Sequence, residues 1–225
     1  MSLKAFKLRS QGNENSMTTP EHTLVGIHFA LAVSLDRYTG WRIVAMAAVA
    51  SNVPDWDGLP MLFDMQRFES GHRVWGHSLL SIFLTSLLMG SAQVRWDWIG
   101  KVANWSHLKF TKRPLVADDL DPKLSSAWLM VLAYSGVAMV SQILHLICDM
   151  VASGGKGLSH WAIEPFWPFS SQAFVYPLIA WGDVGPTVIL MSGSIIMAKR
   201  RSQVALTSGL TLLGLCAYLM VRSLF

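Results

Sequence analysis

Charge is scarce in this chain. Only 14% of its 225 residues are Asp, Glu, Lys or Arg and 52% are hydrophobic, where an ordinary soluble domain carries roughly 25% charged residues. That balance excludes a soluble globular protein and points to a membrane one. Cysteine is nearly absent, and Cys148 and Cys216 both sit inside apolar runs. A disulfide framework and a cysteine-rich zinc module are therefore excluded, and any metal has to be held by His and carboxylate. No His-Glu-x-x-His occurs, which removes the zinc-protease helix built on that spacing. Residues 1–20 hold Lys4, Lys7 and Arg9 and then a polar stretch with no apolar core, so they are no secretory signal. Internal repeats and low-complexity tracts are also missing. The net charge of +4 and pI near 9.2 do not make a nucleic-acid surface, because the basic residues lie between apolar runs and form no basic face.

What is present is a series of apolar segments. Residues 24–35 and 41–53 flank the turn Asp36-Arg37-Tyr38-Thr39-Gly40, and each is shorter than the ~20 residues that cross the hydrocarbon. They are expected as short tilted spans or a hairpin inserted part way, with both outer ends on one side. Residues 77–94 read as a third helix, 95–123 as a charged extramembrane loop, and 124–152 as a fourth helix of ~43 Å. The run Ser153-Gly154-Gly155-Lys156-Gly157 breaks that helix. Residues 158–182, rich in Trp, Pro and Phe, read as an interfacial loop lying on the bundle. Residues 186–198 and 204–224 make the last two helices, separated by Lys199-Arg200-Arg201. The expected fold is an all-α polytopic membrane helical bundle of about six apolar helices, some short or partly inserted. It forms a single domain over residues 17–225 after a disordered tail at 1–16, with Met17 read as an alternative start. Ten Trp and four Tyr suit the lipid–water interface, and membrane lipids are the expected partners.

Into this apolar chain the stretch from 54 to 78 packs Asp55, Asp57, His72, Arg73 and His77. Ionisable groups near a bilayer are costly and persist where they bind an ion, a substrate or each other. Pro54 biases its neighbour to extended backbone, and in an extended loop Asp55 and Asp57 share a side; the bland alternative is a turn whose Asp side chains cap backbone. Two histidines within six residues at a helix start are more often ligands than core fillers. In the fourth helix His145 and Asp149 stand four residues apart on one face, able to reach one ion or simply each other. His22 opens the first helix beside Glu21, where a lone His is usually a cap. His28 reads as packed, His107 as lying on the opposite side, and His160 with Glu164 as part of a lid. Helix parity adds what no motif can: His22, Asp55, His77 and Asp149 all fall at the same membrane face. The opposite face collects eleven basic residues (Arg37, Arg42, Arg95, Lys101, Lys109, Lys112, Arg113, Lys123, Lys199, Arg200 and Arg201) against Arg67, Arg73, Lys156 and Arg222 on the site face, to which the tail adds Lys4, Lys7 and Arg9 in the contrary sense. The positive-inside rule puts the eleven in the cytoplasm and the site outward, in the periplasm of a Gram-negative cell.

A His near the start, Pro54-Asp55-Trp56-Asp57, His72-Arg73-Val74-Trp75-Gly76-His77-Ser78, the later His145 to Asp149 spacing and Trp167-Pro168-Phe169 together resemble the LexA-regulated YdjM-like family of bacterial inner-membrane proteins, described as metal-dependent hydrolases. The resemblance covers about residues 17–175. Gly76 departs from it, since the family commonly has Thr there. The His-x-x-x-Asp element is also distantly similar to zinc-dependent phospholipases C.

The resulting expectation is a metal-dependent hydrolase of the inner membrane. It holds one or two divalent ions, zinc by preference, on His22, Asp55, His72, His77, His145 and Asp149. Asp57 is a further ligand, an orienting partner or a general base, and Arg73 holds negative charge on the substrate. A small molecule, or a lipid or lipid-linked phosphoester, is the substrate that a site at the lipid boundary suggests. The rivals are a metal transporter, which would place ionisable residues at mid-membrane on broken helices, and a metal-stabilised scaffold, which can use the same ligands.

Overall fold

Helices surrounded by lipid gain little from hiding apolar surface and associate through small residues and interhelical hydrogen bonds. The computed structural model of this chain, which describes residues 19–112, 126–154, 160–180 and 182–224, follows that logic. Its elements are α1 (Thr19–Ala32), a single helical turn (Asp36–Thr39), α2 (Trp41–Ala50), a 3-10 segment (Pro54–Leu62), α3 (Met65–Gly71), α4 (Leu79–Trp96), α5 (Trp98–Thr111), α6 (Ala127–Val151), α7 (Val184–Lys199) and α8 (Val204–Arg222). The described residues form an all-α bundle without strands, with only two isolated bridges, Ala152 to Ile179 and Ile163 to Phe174. The α4, α6 and α8 regions are long and apolar enough to cross a membrane; α2 and α7 are apolar but shorter.

At the centre α4 packs along α6. A Cβ on Gly90 would lie 2.2 Å from the Ser135 hydroxyl and 2.6 Å from its backbone nitrogen, so only glycine lets the two backbones come this close. One turn below, Gln142 donates to Ser86 at 2.8 Å and accepts from Thr85 at 2.9 Å. Such interhelical bonds contribute about 0.6 kcal/mol each in a membrane, rarely above about 1.7, and their value lies as much in fixing register. The α1–α2 hairpin lies against α6, burying Ile43, Met46, Ala47, Tyr134 and Val137. The α7–α8 pair closes on α1 and α6 through Val25, Cys148, Leu190 and Leu215.

Several expectations change here. The region 95–123 is not all loop, since α5 occupies 98–111 and residues 113–125 lie outside the described chain. The backbone at Asp55 and Asp57 is a 3-10 helix, not an extended strand, because Pro54 takes its first position with φ already set for a helix. The tail at 1–16, and Lys156 in the break, also lie outside the described residues. The loop 160–180 does lie on the bundle, tied by Tyr176 N to Met150 O at 3.0 Å and by Leu79 N to Pro165 O at 2.8 Å.

Parity is preserved. His22, the 3-10 segment, the start of α4 and the end of α6 meet at one end, and Asp183 at the start of α7 joins Arg222 and Tyr218 at the same end. The turn at Asp36–Thr39, α5 and Lys199 to Arg201 occupy the other.

Candidate metal centre

Each side chain at the site end is placed by a local feature of its own segment. In α6, His145 and Asp149 are one turn apart and both buried. The short helix α3 ends at His72, and Arg73 then takes a left-handed φ of 64°, which turns the chain back toward the bundle. Ser78 caps α4 by accepting from Ser81 N at 3.1 Å, which fixes His77 just outside the first turn. A Cβ on Gly76 would stand 2.3 Å from the Pro54 carbonyl, so this glycine is what lets the 3-10 segment lie against the start of α4.

In a 3-10 helix successive side chains turn by about 120°, so Asp55 and Asp57 point to different places. Asp57 is fully buried and accepts from His72 Nδ1 at 2.8 Å, His77 Nδ1 at 2.9 Å and Gly76 N at 3.1 Å. Burial alone would raise its pKa, but the hydrogen bonds from His72 and His77 outweigh it and hold the carboxyl below its ordinary value. Asp55 points the other way, with its Oδ1 3.3 Å from His145 Nε2 and 3.8 Å from His77 Nε2.

Both central histidines have one nitrogen committed. His145 Nδ1 donates to the Ser51 carbonyl at 2.7 Å and His77 Nδ1 donates to Asp57, so the Nε2 lone pair of each faces inward, as in a metal-ligating imidazole held by an outer partner. The two Nε2 atoms are 3.2 Å apart. Asp149 Oδ2 lies 3.3 Å from His77 Nε2 and 3.6 Å from His145 Nε2. One donor atom from each of Asp55, His77, His145 and Asp149 lies within 4.8 Å of all the others. A tetrahedral zinc with bonds of 2.0–2.2 Å has ligand–ligand edges of about 3.3–3.6 Å. Five of the six donor–donor edges run from 3.2 to 3.8 Å, close to that range, so the four side chains could hold one metal ion.

Around these four stand the remaining candidates. His22 Nε2 lies 3.3 Å from Asp149 Oδ1, and its ring lies tilted by 30° against that of His145 with centroids 3.9 Å apart; it touches the group from the outside. His72 is also outside, bonded to Asp57 and held between Phe68 and Trp161 at 4.9 and 4.8 Å between ring centroids. Arg73 departs from its expected place. Its side chain is 2% exposed, with NH2 3.0 Å from Asp149 Oδ2 and NH1 donating to the carbonyls of Asp149 and Trp161, so it grips a carboxylate of the protein and does not face a substrate. His28 is packed and meets the Leu190 carbonyl at 3.2 Å, and His107 bonds Thr111 in α5 at the far end. His160 is exposed beside Gly154 and Glu164 bonds the Arg73 carbonyl through its backbone; neither joins the group. The carbonyls of Ser51 and Trp161 and the ring of Phe68 were not foreseen, and a backbone carbonyl has no signature in sequence.

A sequence model of the family described as YdjM inner membrane protein matches residues 17–225. The match extends through the last two helices, beyond the limit near 175 expected from motifs. No curated protein and no solved structure matches the chain.

Proposed function

The chain belongs to the YdjM inner membrane protein family, and from that premise we propose that it is a metal-dependent hydrolase of the inner membrane acting on a lipid or lipid-linked (phospho)ester at the periplasmic face. The observation that carries the reading is the inward convergence of two imidazole lone pairs and two carboxylates at tetrahedral edge lengths. Asp55, His77, His145 and Asp149 would hold one divalent ion, with zinc favoured by the N and O donors. When bound there, such an ion would supply Lewis-acid activation of water and of the bond to be cleaved.

The chain's own residues divide the remaining work. Asp57 and Ser51 fix the tautomers of His77 and His145. Arg73 and His22 keep the Asp149 carboxylate oriented. Asp55 is the one ligand with an open side, 32% exposed, and substrate reaches the centre from there. Asp57, buried with both oxygens accepting, orients imidazoles and is not placed to take a proton from water.

One observation favours a second reading, a non-catalytic metal-stabilised scaffold: four protein ligands are typical of closed structural zinc sites. A transporter has less support, because the described middle of α4, α7 and α8 carries no Asp, Glu, His, Lys or Arg. The test is to incubate the purified, metal-loaded protein with a bacterial lipid extract and follow products by mass spectrometry. A product that forms with wild type and not with His145→Ala supports the enzyme; a fully loaded protein that releases nothing supports the scaffold.

A further inference from the structure

Helix α5 buries almost nothing beyond its first turn. It begins one residue after α4, redirected by Asp97 in the left-handed conformation. Its start is clamped: Arg42 grips Asp97 with Nε and NH2 at 2.9 and 3.2 Å, Gln93 donates to it at 2.7 Å, and Ile99 is buried against Ile43 and Tyr134. Beyond Ile99 no residue of α5 is buried. Lys101, Trp105 and Leu108 follow the i, i+4, i+7 spacing of a single face, flanked by Val102 and Lys109, and Lys112 follows as the left-handed C-cap. Val102, Trp105 and Leu108 are 55%, 62% and 40% exposed, and among the described residues no element covers them.

A helix of 14 residues is marginal alone in water, and a face carrying Trp and Leu needs something to rest on. Two features say what. Residues 98–112 hold three lysines and no Asp or Glu, and Lys109 Nζ lies 5.2 Å from the Trp105 ring centroid, so at least this lysine and the aromatic share one face. The exposed apolar residues of α4 include Leu84, Leu87 and Leu88, and its last residue, Trp96, is exposed as well, so α5 starts just beyond the end of a lipid-facing helix. Basic residues interleaved with Trp and Leu, at that depth, match an interfacial helix whose lysines reach up to phosphate while the rings enter the headgroup layer.

We propose that α5 is an interfacial anchor that docks into the leaflet opposite the metal centre and binds anionic lipid headgroups through Lys101, Lys109 and Lys112. Each lysine near an anionic surface favours the docked state on the order of fivefold. The proposal is independent of the metal and of any hydrolysis.

The test uses the full chain with nitroxide labels at Val102→Cys or Leu108→Cys, in a Cys148→Ser, Cys216→Ser background, reconstituted in phosphatidylcholine vesicles with or without phosphatidylglycerol. Docking appears as access to oxygen with protection from a water-soluble nickel chelate. We expect stronger protection in the anionic vesicles, loss of that difference when all three lysines become Gln, and retention when they become Arg. Free nickel access in both vesicles would overturn the proposal, showing a helix in water. Insertion indifferent to lipid charge would overturn it too, as would protection from both reagents in either vesicle, which would mean that the chain's own residues cover the face.

Discussion

The Nε2 atoms of His77 and His145 face each other at 3.2 Å, each with its Nδ1 donating elsewhere. Two lone pairs aimed at one another repel unless a cation lies between them. Without a metal, a proton on an imidazole can take that place. Burial disfavours the charge on His77, but the hydrogen bonds to Asp149 and Asp57 outweigh it and raise its pKa above the ordinary value.

Metal binding should therefore release a proton, because the raised pKa keeps His77 protonated near and below neutral pH and the metal must displace that proton. Zinc affinity, measured by chelator competition, is expected to rise with pH over a window that includes the ordinary imidazole value of 6.5 and extends above it. An affinity flat across that window would contradict this picture of His77.

Asp57→Asn keeps the shape but replaces an acceptor by an amide that can donate, so the proton on His77 is free to move to Nε2. Loss of such an outer partner typically lowers metal affinity about 10- to 100-fold, while His77→Ala removes a ligand outright. Unchanged affinity in Asp57→Asn would show that Asp57 does not set the tautomer.

Arg73→Met leaves the Asp149 carboxylate buried beside the ligands without its guanidinium. Breaking a buried pair from one side costs about 3–5 kcal/mol, but a bound cation can neutralise Asp149 in its place. The variant should be strongly destabilised when stripped of metal and much less so when loaded, read as thermal midpoints with and without chelator. An equal loss in both states would detach Arg73 from the centre.

Gly76→Ala should lose metal, since the added Cβ would push the Pro54 carbonyl, 2.3 Å away, and with it the 3-10 segment that carries Asp55. Gly136→Ala is the control, because nothing lies within 4 Å of a Cβ there and alanine is favoured over glycine within a helix. Equal metal content in both variants would mean that the close approach at Gly76 is not needed.

Orientation can be read from single cysteines at Gln66 and Ser171 on the site end and at Arg200 and Ser202 on the other, all exposed, in a background lacking Cys148 and Cys216. An impermeant thiol reagent applied to intact cells should label the first pair only, as the charge distribution implies. Labelling of the second pair alone would turn the centre to the cytoplasm.

Much of this centre was legible because helical spacing is strict. His145 and Asp149 had to share a face, and counting apolar segments brought His22, Asp55 and His77 to the same end. What sequence could not separate was Asp55 from Asp57. Their roles differ because Pro54 starts a 3-10 turn, and the choice between that and extended backbone is settled by packing against Gly76. Arg73 was misplaced for a related reason: its charge suggested a substrate, whereas its left-handed backbone turns the side chain inward to Asp149. Helix α5 was hidden by its lysines, which make residues 98–112 look like a loop on average although Asp97 stands where a capping residue should.

The central claim is that one ion sits among Asp55, His77, His145 and Asp149. Metal analysis of the protein purified without chelator tests it most directly, alongside His145→Ala whose helical content is checked by circular dichroism. The account predicts one divalent transition ion per chain in the wild type and none in the folded variant. No ion in the wild type after zinc loading, or full occupancy in His145→Ala, would contradict it.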